Sequence, residues 1–221
     1  MFAKAPRPGH VKTRMIPPLS PEQAAALYDA MLADVLIASA DFARRLDLQP
    51  ILHFDPADAR AELACRAPDG YRLRPQLGPD LAQRMANAFE EAAAGDVGWV
   101  ILRGSDSPGL EFEIVEDALA RLDAGQDLVL TPDQDGGYAL IALKEPRREL
   151  FEIVLSTGTV LNETLERARA LGLEASQTRA SFDLDRAEDL IRMDGLSLGD
   201  SSVLCPHTVE IVRVFRARGV L

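Results

Sequence analysis

The chain has 221 residues, 47% of them hydrophobic, and 24 Lys and Arg against 35 Asp and Glu, a formal net charge of −11. Length and apolar fraction suit a folded globular core, and the acidic balance excludes nucleic acid as a general partner, since duplex binding needs a broad basic face. No apolar run approaches the roughly 20 residues that span a bilayer, no leader pattern opens the chain, and Cys65 and Cys205 lack both disulfide-framework and zinc-ligand spacing, so a cytoplasmic protein without a membrane partner is expected.

The first 21 residues hold Lys4, Arg7, Lys12 and Arg14 and no acidic side chain, against the acidic character of the rest. Met1 to Ala3 are the residues available for a first strand, and the stiff Pro6-Arg-Pro-Gly9 that follows is shaped to aim amides and cations at an anion, above all a phosphate. Gly9-x-x-Lys12-Thr13 is not a P-loop, because Val11 and Pro6 stand where that motif needs glycine. A helix from Ser20 to about Arg45 is the best-marked element, with Ser20 as N-cap, Pro21 at the first helical position, Gln23 completing a capping box, and Leu27, Met31 and Val35 on one face.

A strand is predicted over Pro50 to Phe54, with His53 as an interior histidine, then a helix over Pro56 to Ala67, a strand over Tyr71 to Arg74 and a helix over Leu81 to Ala94. Gly98 to Arg103 reads as a buried strand ending in Gly104-Ser-Asp-Ser-Pro108, before a helix over Glu111 to Asp123. Asp127 to Thr131 and Tyr138 to Leu143 are strands joined by the turn Pro132-Asp-Gln-Asp-Gly-Gly137. Helices near Glu149 to Val154 and Val160 to Leu171, and strands near Glu174 to Gln177 and Ala180 to Leu184, complete a βαβ-type alternation and therefore an α/β fold. Residues 1–194 form one domain in this reading, and 195–221 a C-terminal appendage with a helix near Thr208 to Ala217.

Acidic residues fall at strand ends, where open α/β sheets bind ligands: Asp106, Asp133 with Asp135, and Asp183 with Asp185. Two readings stay open at each. Asp106 either caps the following turn or binds a ligand; Asp135-Gly-Gly is either a plain turn or a backbone approach to substrate; Asp185 is either an N-cap with Glu188 in the capping-box position or a ligand. The functional reading joins Asp106 with Asp183 or Asp185 around Mg²⁺ or Mn²⁺, a hard cation that takes one or two carboxylates plus phosphate oxygens, opposite the basic loop. Neither a dinucleotide fingerprint nor a nucleophile elbow is present.

With these residues assembled, the chain resembles the radical-SAM/selenodomain-associated transferase family, linked in some members to arsenosugar biosynthesis. The resemblance is carried by Phe2-Ala-Lys-Ala-Pro-x-Pro-Gly-x-Val-Lys-Thr-Arg14, Gln76-x-Gly-x-Asp-Leu-x-x-Arg-Met85, Gly104-Ser-Asp-x-Pro108, Asp135-Gly-Gly-Tyr138, Ser156-Thr157 and Asp183-x-Asp185 with Glu188-Asp-Leu190. Leu155, Ala139, Ala142 and Arg186-Ala187 depart from the usual pattern of that family. The resemblance implies a three-layer α/β/α GT-A-like fold with a mostly parallel, mixed central sheet, and a glycosyltransferase with a nucleotide-diphospho-sugar donor and a small-molecule acceptor. It also implies the basic loop at the nucleotide and Asp106 at the metal; combined with the residue reading, Lys4, Arg7, Gly9, Lys12, Arg14 and Arg84 face donor phosphates, Gly136 and Gly137 the sugar, and Asp106 with Asp183 or Asp185 the metal. Nucleotidyl transfer from an NTP to a phosphorylated acceptor is the alternative reaction class, and a non-catalytic nucleotide-binding module the alternative without chemistry.

Overall fold

A computed structural model describes residues 1–95, 97–153, 158–190 and 204–221. Ser156, Thr157, Leu155 and the domain boundary expected at 194 lie outside the described residues. The chain divides into two compact units, one built from residues 2–75, 105–110 and 183–221, the other from Met1, 76–104 and 111–182. Among the described residues no helix is long and apolar enough to cross a membrane.

In the first unit, β1 (Phe2–Lys4), β2 (Ile51–Asp55) and β3 (Arg72–Pro75) form a parallel sheet in the order β1-β2-β3, with Phe2 opposite His53 and Leu52 opposite Leu73. Parallel neighbours need crossovers, and the helices supply them. β1 is only three residues long; the Ala5 amide adds one more bond to the Asp55 carbonyl at 2.8 Å, after which Pro6 and Pro8 offer no N–H to continue the ladder. The first crossover carries α1 (Pro21–Arg45), whose capping box forms as expected, Ser20 Oγ accepting from the Gln23 amide and Gln23 from the Ser20 amide. Leu27, Met31, Leu32, Val35 and Leu36 are fully buried along it.

The expected helix over Pro56 to Ala67 is shorter. A 3₁₀ turn (Ala57–Ala59) opens it, because the Ala59 amide bonds the Pro56 carbonyl three residues back, and α2 spans only Arg60–Ala64. The expected C-terminal helix is present as α6 (Pro206–Ala217); rather than standing apart as an appendage it belongs to this unit and packs on α1.

The second unit has a four-stranded mixed sheet of β4 (Val100–Arg103), β5 (Leu128–Pro132), β6 (Tyr138–Leu143) and β7 (Ala175–Gln177), ordered β4-β6-β5-β7, with β6 antiparallel to both neighbours and β7 parallel to β5. Its helices are α3 (Leu81–Ala92), α4 (Phe112–Asp123) and α5 (Val160–Ala170). Leu128 to Leu130 and Ala139 to Leu143 are continuously buried, as strands covered on both faces require. The helix expected near Glu149 is a 3₁₀ turn, Arg148–Phe151. The strand expected over Ala180 to Leu184 does not form: Pro132 of β5 has no N–H to offer it, and the chain keeps only isolated bonds such as the Ser181 amide to the Pro132 carbonyl, 2.9 Å.

Candidate functional site

The basic turn is anchored by its apolar residues. Val11 and Met15 are buried on either side of Lys12, which adopts the left-handed conformation (φ 48°, ψ 36°) at the start of a 3₁₀ turn, Thr13–Met15. That conformation costs a lysine about 1 kcal/mol. Here it carries the side chain inward, leaving it 2% exposed.

The Lys12 ammonium donates to Asp106 Oδ1 and, at 2.5 Å, to the Leu184 carbonyl, and lies 3.7 Å from Asp185 Oδ1. Asp185 turns its other oxygen to Arg14, 2.6 Å away. Asp183 accepts from the Ser107 hydroxyl, and the Leu184 amide donates to the Asp106 carbonyl at 2.9 Å. Segments from three parts of the chain are thereby stitched together: the turn after β1, the loop 105–110, and residues 183–185. Tyr28 of α1 reinforces the joint, its hydroxyl receiving the Lys4 amide at 2.9 Å and pairing with Ser105 Oγ at 2.8 Å. Burial first, and the negative charge of Asp106 second, push the Tyr28 hydroxyl well above its ordinary pKa, so it stays protonated.

Lys12, Arg14, Asp106, Asp183 and Asp185 are therefore brought together. Asp106 is not a helix cap; its carboxylate meets Lys12 while Glu111 begins α4. Nor does Glu188 complete a capping box over Asp185, since Asp189 instead accepts from the Asp185 and Arg186 amides at 3.0 and 2.7 Å. Lys4 contributes its backbone, its side chain being exposed. Arg7 is engaged by Glu62 of α2 and by Asp58 of the preceding 3₁₀ turn, both at 3.2 Å. Gly9 adopts φ +77°, a turn conformation that disfavours side chains.

Arg84, Gly136 and Gly137 lie in the second unit. Arg84 Nε donates to the Gly78 carbonyl at 2.9 Å. A Cβ on Gly136, at φ +84°, would sit 2.0 Å from the Gly158 carbonyl oxygen. Asp133 accepts from the Asp135 and Gly137 amides at 2.9 and 2.7 Å, which accounts for this segment as a tight turn. Sequence reasoning missed the Leu184 carbonyl, the Ser107 hydroxyl and Tyr28. A tyrosine set among the aliphatic residues of α1 was a signal for the last; a backbone carbonyl leaves none.

Among the described residues no three His, Cys, Asp or Glu side chains converge as a metal cage; of the two partners expected for Asp106, Asp183 accepts from the Ser107 hydroxyl, whereas Asp185 shares the Lys12 ammonium with Asp106. Asp106 and Asp185 face one cation position and are 48% and 30% exposed. Such a pair fits a hard divalent ion that retains water and takes substrate oxygens.

This architecture is an α/β fold of the nucleotide-diphospho-sugar transferase type. A structure from Desulfovibrio desulfuricans G20, provisionally described as a nucleotide-diphospho-sugar transferase, superposes with a TM-score of 0.86 at 27% identity over 98% of this chain and 93% of that one. CMP:2-keto-3-deoxy-manno-octonic acid synthetase complexed with CTP gives 0.53 at 12% identity over 90% and 97%, and Rv0371c from Mycobacterium tuberculosis H37Rv gives 0.52 at 17% over 72% and 83%. The chain belongs to the DUF2064 family, described as "Uncharacterized protein conserved in bacteria", whose profile matches residues 38–157. No curated protein sequence matches it.

Proposed function

We propose that the chain is a metal-dependent glycosyltransferase that moves a sugar from a nucleotide-diphospho-sugar donor to a small-molecule acceptor. The observation that carries this reading is the meeting of Lys12 and Arg14 with Asp106 and Asp185 at the carboxyl end of β1. The similarity to the Desulfovibrio protein along nearly the whole chain supports it, as does the resemblance to radical-SAM/selenodomain-associated transferases. In this reading Asp106 and Asp185 hold the divalent ion, and Lys12 and Arg14 contact the donor phosphates. A bound Mg²⁺ or Mn²⁺ supplies charge neutralisation for the departing diphosphate. The bond between the anomeric carbon and the diphosphate oxygen breaks, its electron pair leaving with the nucleoside diphosphate. An acceptor oxygen forms the new bond and loses its proton. Charge held in fixed positions before the reaction is what the protein contributes to that leaving group.

The fold shared with the CTP-bound synthetase supports nucleotidyl transfer as a second reading, in which an acceptor phosphate attacks the α-phosphorus of an NTP and pyrophosphate leaves. Incubation with Mn²⁺ and a panel of nucleotide sugars and NTPs separates the two. Nucleoside diphosphate released from a sugar donor, and lost in Asp106→Ala, is the expected result; pyrophosphate from an NTP refutes glycosyl transfer in favour of the second reading. Nucleotide binding without metal dependence or turnover refutes both and leaves a binding module.

A further inference from the structure

We propose that Lys12 is the resident cation of the aspartate site: its ammonium holds Asp106 and Asp185 neutralised in the ligand-free protein, and a divalent ion enters by displacing it. This rests on the reading that Asp106 and Asp185 bind metal.

The geometry carries the inference in three steps. First, the ammonium is already where a cation belongs, bonded to Asp106 Oδ1 and facing Asp185 Oδ1. A divalent ion bonded to the same carboxylate oxygen would sit at about 2.1 Å from it, against a charge of like sign at hydrogen-bond distance, and the two repel too strongly to share the oxygen. Second, the approaches differ. Lys12 reaches the carboxylates from within, its side chain 2% exposed, whereas Asp106 is 48% and Asp185 30% exposed, so an ion from solvent meets carboxylates the lysine leaves open. Third, Lys12 is held at its tip by polar contacts with Asp106 and Leu184, and the tip is what an exchange must release. The outer oxygen of Asp185 keeps Arg14, which is 61% exposed, so exchange need not disturb that pair. The released ammonium then becomes available to an anion, which makes metal and phosphate binding mutually reinforcing.

The test is a Mn²⁺ titration of the full chain followed by electron paramagnetic resonance, at low salt and without nucleotide. Lys12→Met keeps much of the buried volume and removes the ammonium; Arg14→Gln removes a neighbouring charge of the same sign that does not occupy the proposed cation position. Lys12→Met is expected to bind Mn²⁺ about ten-fold or more tightly than wild type, and Arg14→Gln only a few-fold more tightly. Equal Mn²⁺ affinity in wild type and Lys12→Met overturns the exchange but spares the metal reading, as does a gain no larger than that of Arg14→Gln. Failure of Mn²⁺ to bind wild type and both variants overturns both.

Should Lys12→Met not fold, acylation of wild type with an amine-reactive acetyl ester decides the matter. The chain has three lysines, Lys4, Lys12 and Lys144, and Lys4 and Lys144 are exposed internal references. Mn²⁺ is expected to raise labelling of Lys12 several-fold relative to them by peptide mass spectrometry. An unchanged ratio overturns the proposal.

Discussion

Replacing Asp34 by alanine should detach the start of α6 from α1. Asp34 lies within α1 with its side chain 1% exposed, and its carboxylate accepts from the His207 and Thr208 amides at 3.1 and 2.8 Å, from Thr208 Oγ1 at 2.6 Å and from His207 Nδ1 at 2.7 Å. A carboxylate at a helix N-terminus also complements the positive end of the helix dipole. Thr208 is fully buried, so its amide and hydroxyl cannot turn to water, and each stranded donor costs about 1–3 kcal/mol. The His207 ring, half exposed, re-solvates at little cost. Loss of the desolvated carboxylate itself gives something back, and the net expectation for Asp34→Ala is about 3–5 kcal/mol. Urea denaturation measures this directly, and a fall in Tm of about 10 °C should accompany it. Asp34→Asn keeps one acceptor while turning an NH₂ toward the other donors, and should cost about half as much. A loss below about 1 kcal/mol for Asp34→Ala would refute the clamp and, with it, the anchoring of α6.

Three further outcomes are expected. Burial above all lowers the His53 pKa from 6.5 to about 4; the unfolded chain therefore binds a proton that the folded chain refuses, and stability falls by about 3 kcal/mol as pH drops from 6.5 to 4. In His53→Phe this part of the dependence should vanish from urea curves taken across that window, and its persistence would assign the effect elsewhere. Gly136→Ala combines a positive φ with a Cβ only 2.0 Å from the Gly158 carbonyl oxygen, so a stability loss of about 3 kcal/mol or more is expected by calorimetry; a neutral result would contradict the close approach of the two glycines. Cys65 is exposed, whereas Cys205 is buried and its thiol pushed up to about 12, by desolvation first and Asp34 second. A thiol reagent should therefore label one cysteine in the native protein and both in urea, and native labelling of Cys205 would show α6 to be open.

Much of the local structure was legible because it follows from local chemistry. Ser20, Pro21 and Gln23 announce α1 by satisfying amides within one turn of the chain. The buried runs in β5 and β6 are apolar because both their faces are covered, and that too is written along the strand. Elements read less well where a neighbour decides them. The strand expected at Ala180 fails because Pro132, far away in sequence, ends the ladder it would join, and α2 is shortened by the way Pro56 opens it.

The candidate site divides along the same line. The sequence by itself determined which residue types are available: a cationic turn free of acids, aspartates at strand ends, and a fold class in which such ends gather. It could not determine who pairs with whom, because Lys12 and Asp106 are 94 positions apart, and Lys12 and Leu184 172 apart. Tertiary structure decided that Lys12 turns inward to the aspartates while Arg7 goes to α2, and that Asp183 is taken by Ser107. Those choices are made by distance and burial among side chains with similar charge, and charge alone does not distinguish them.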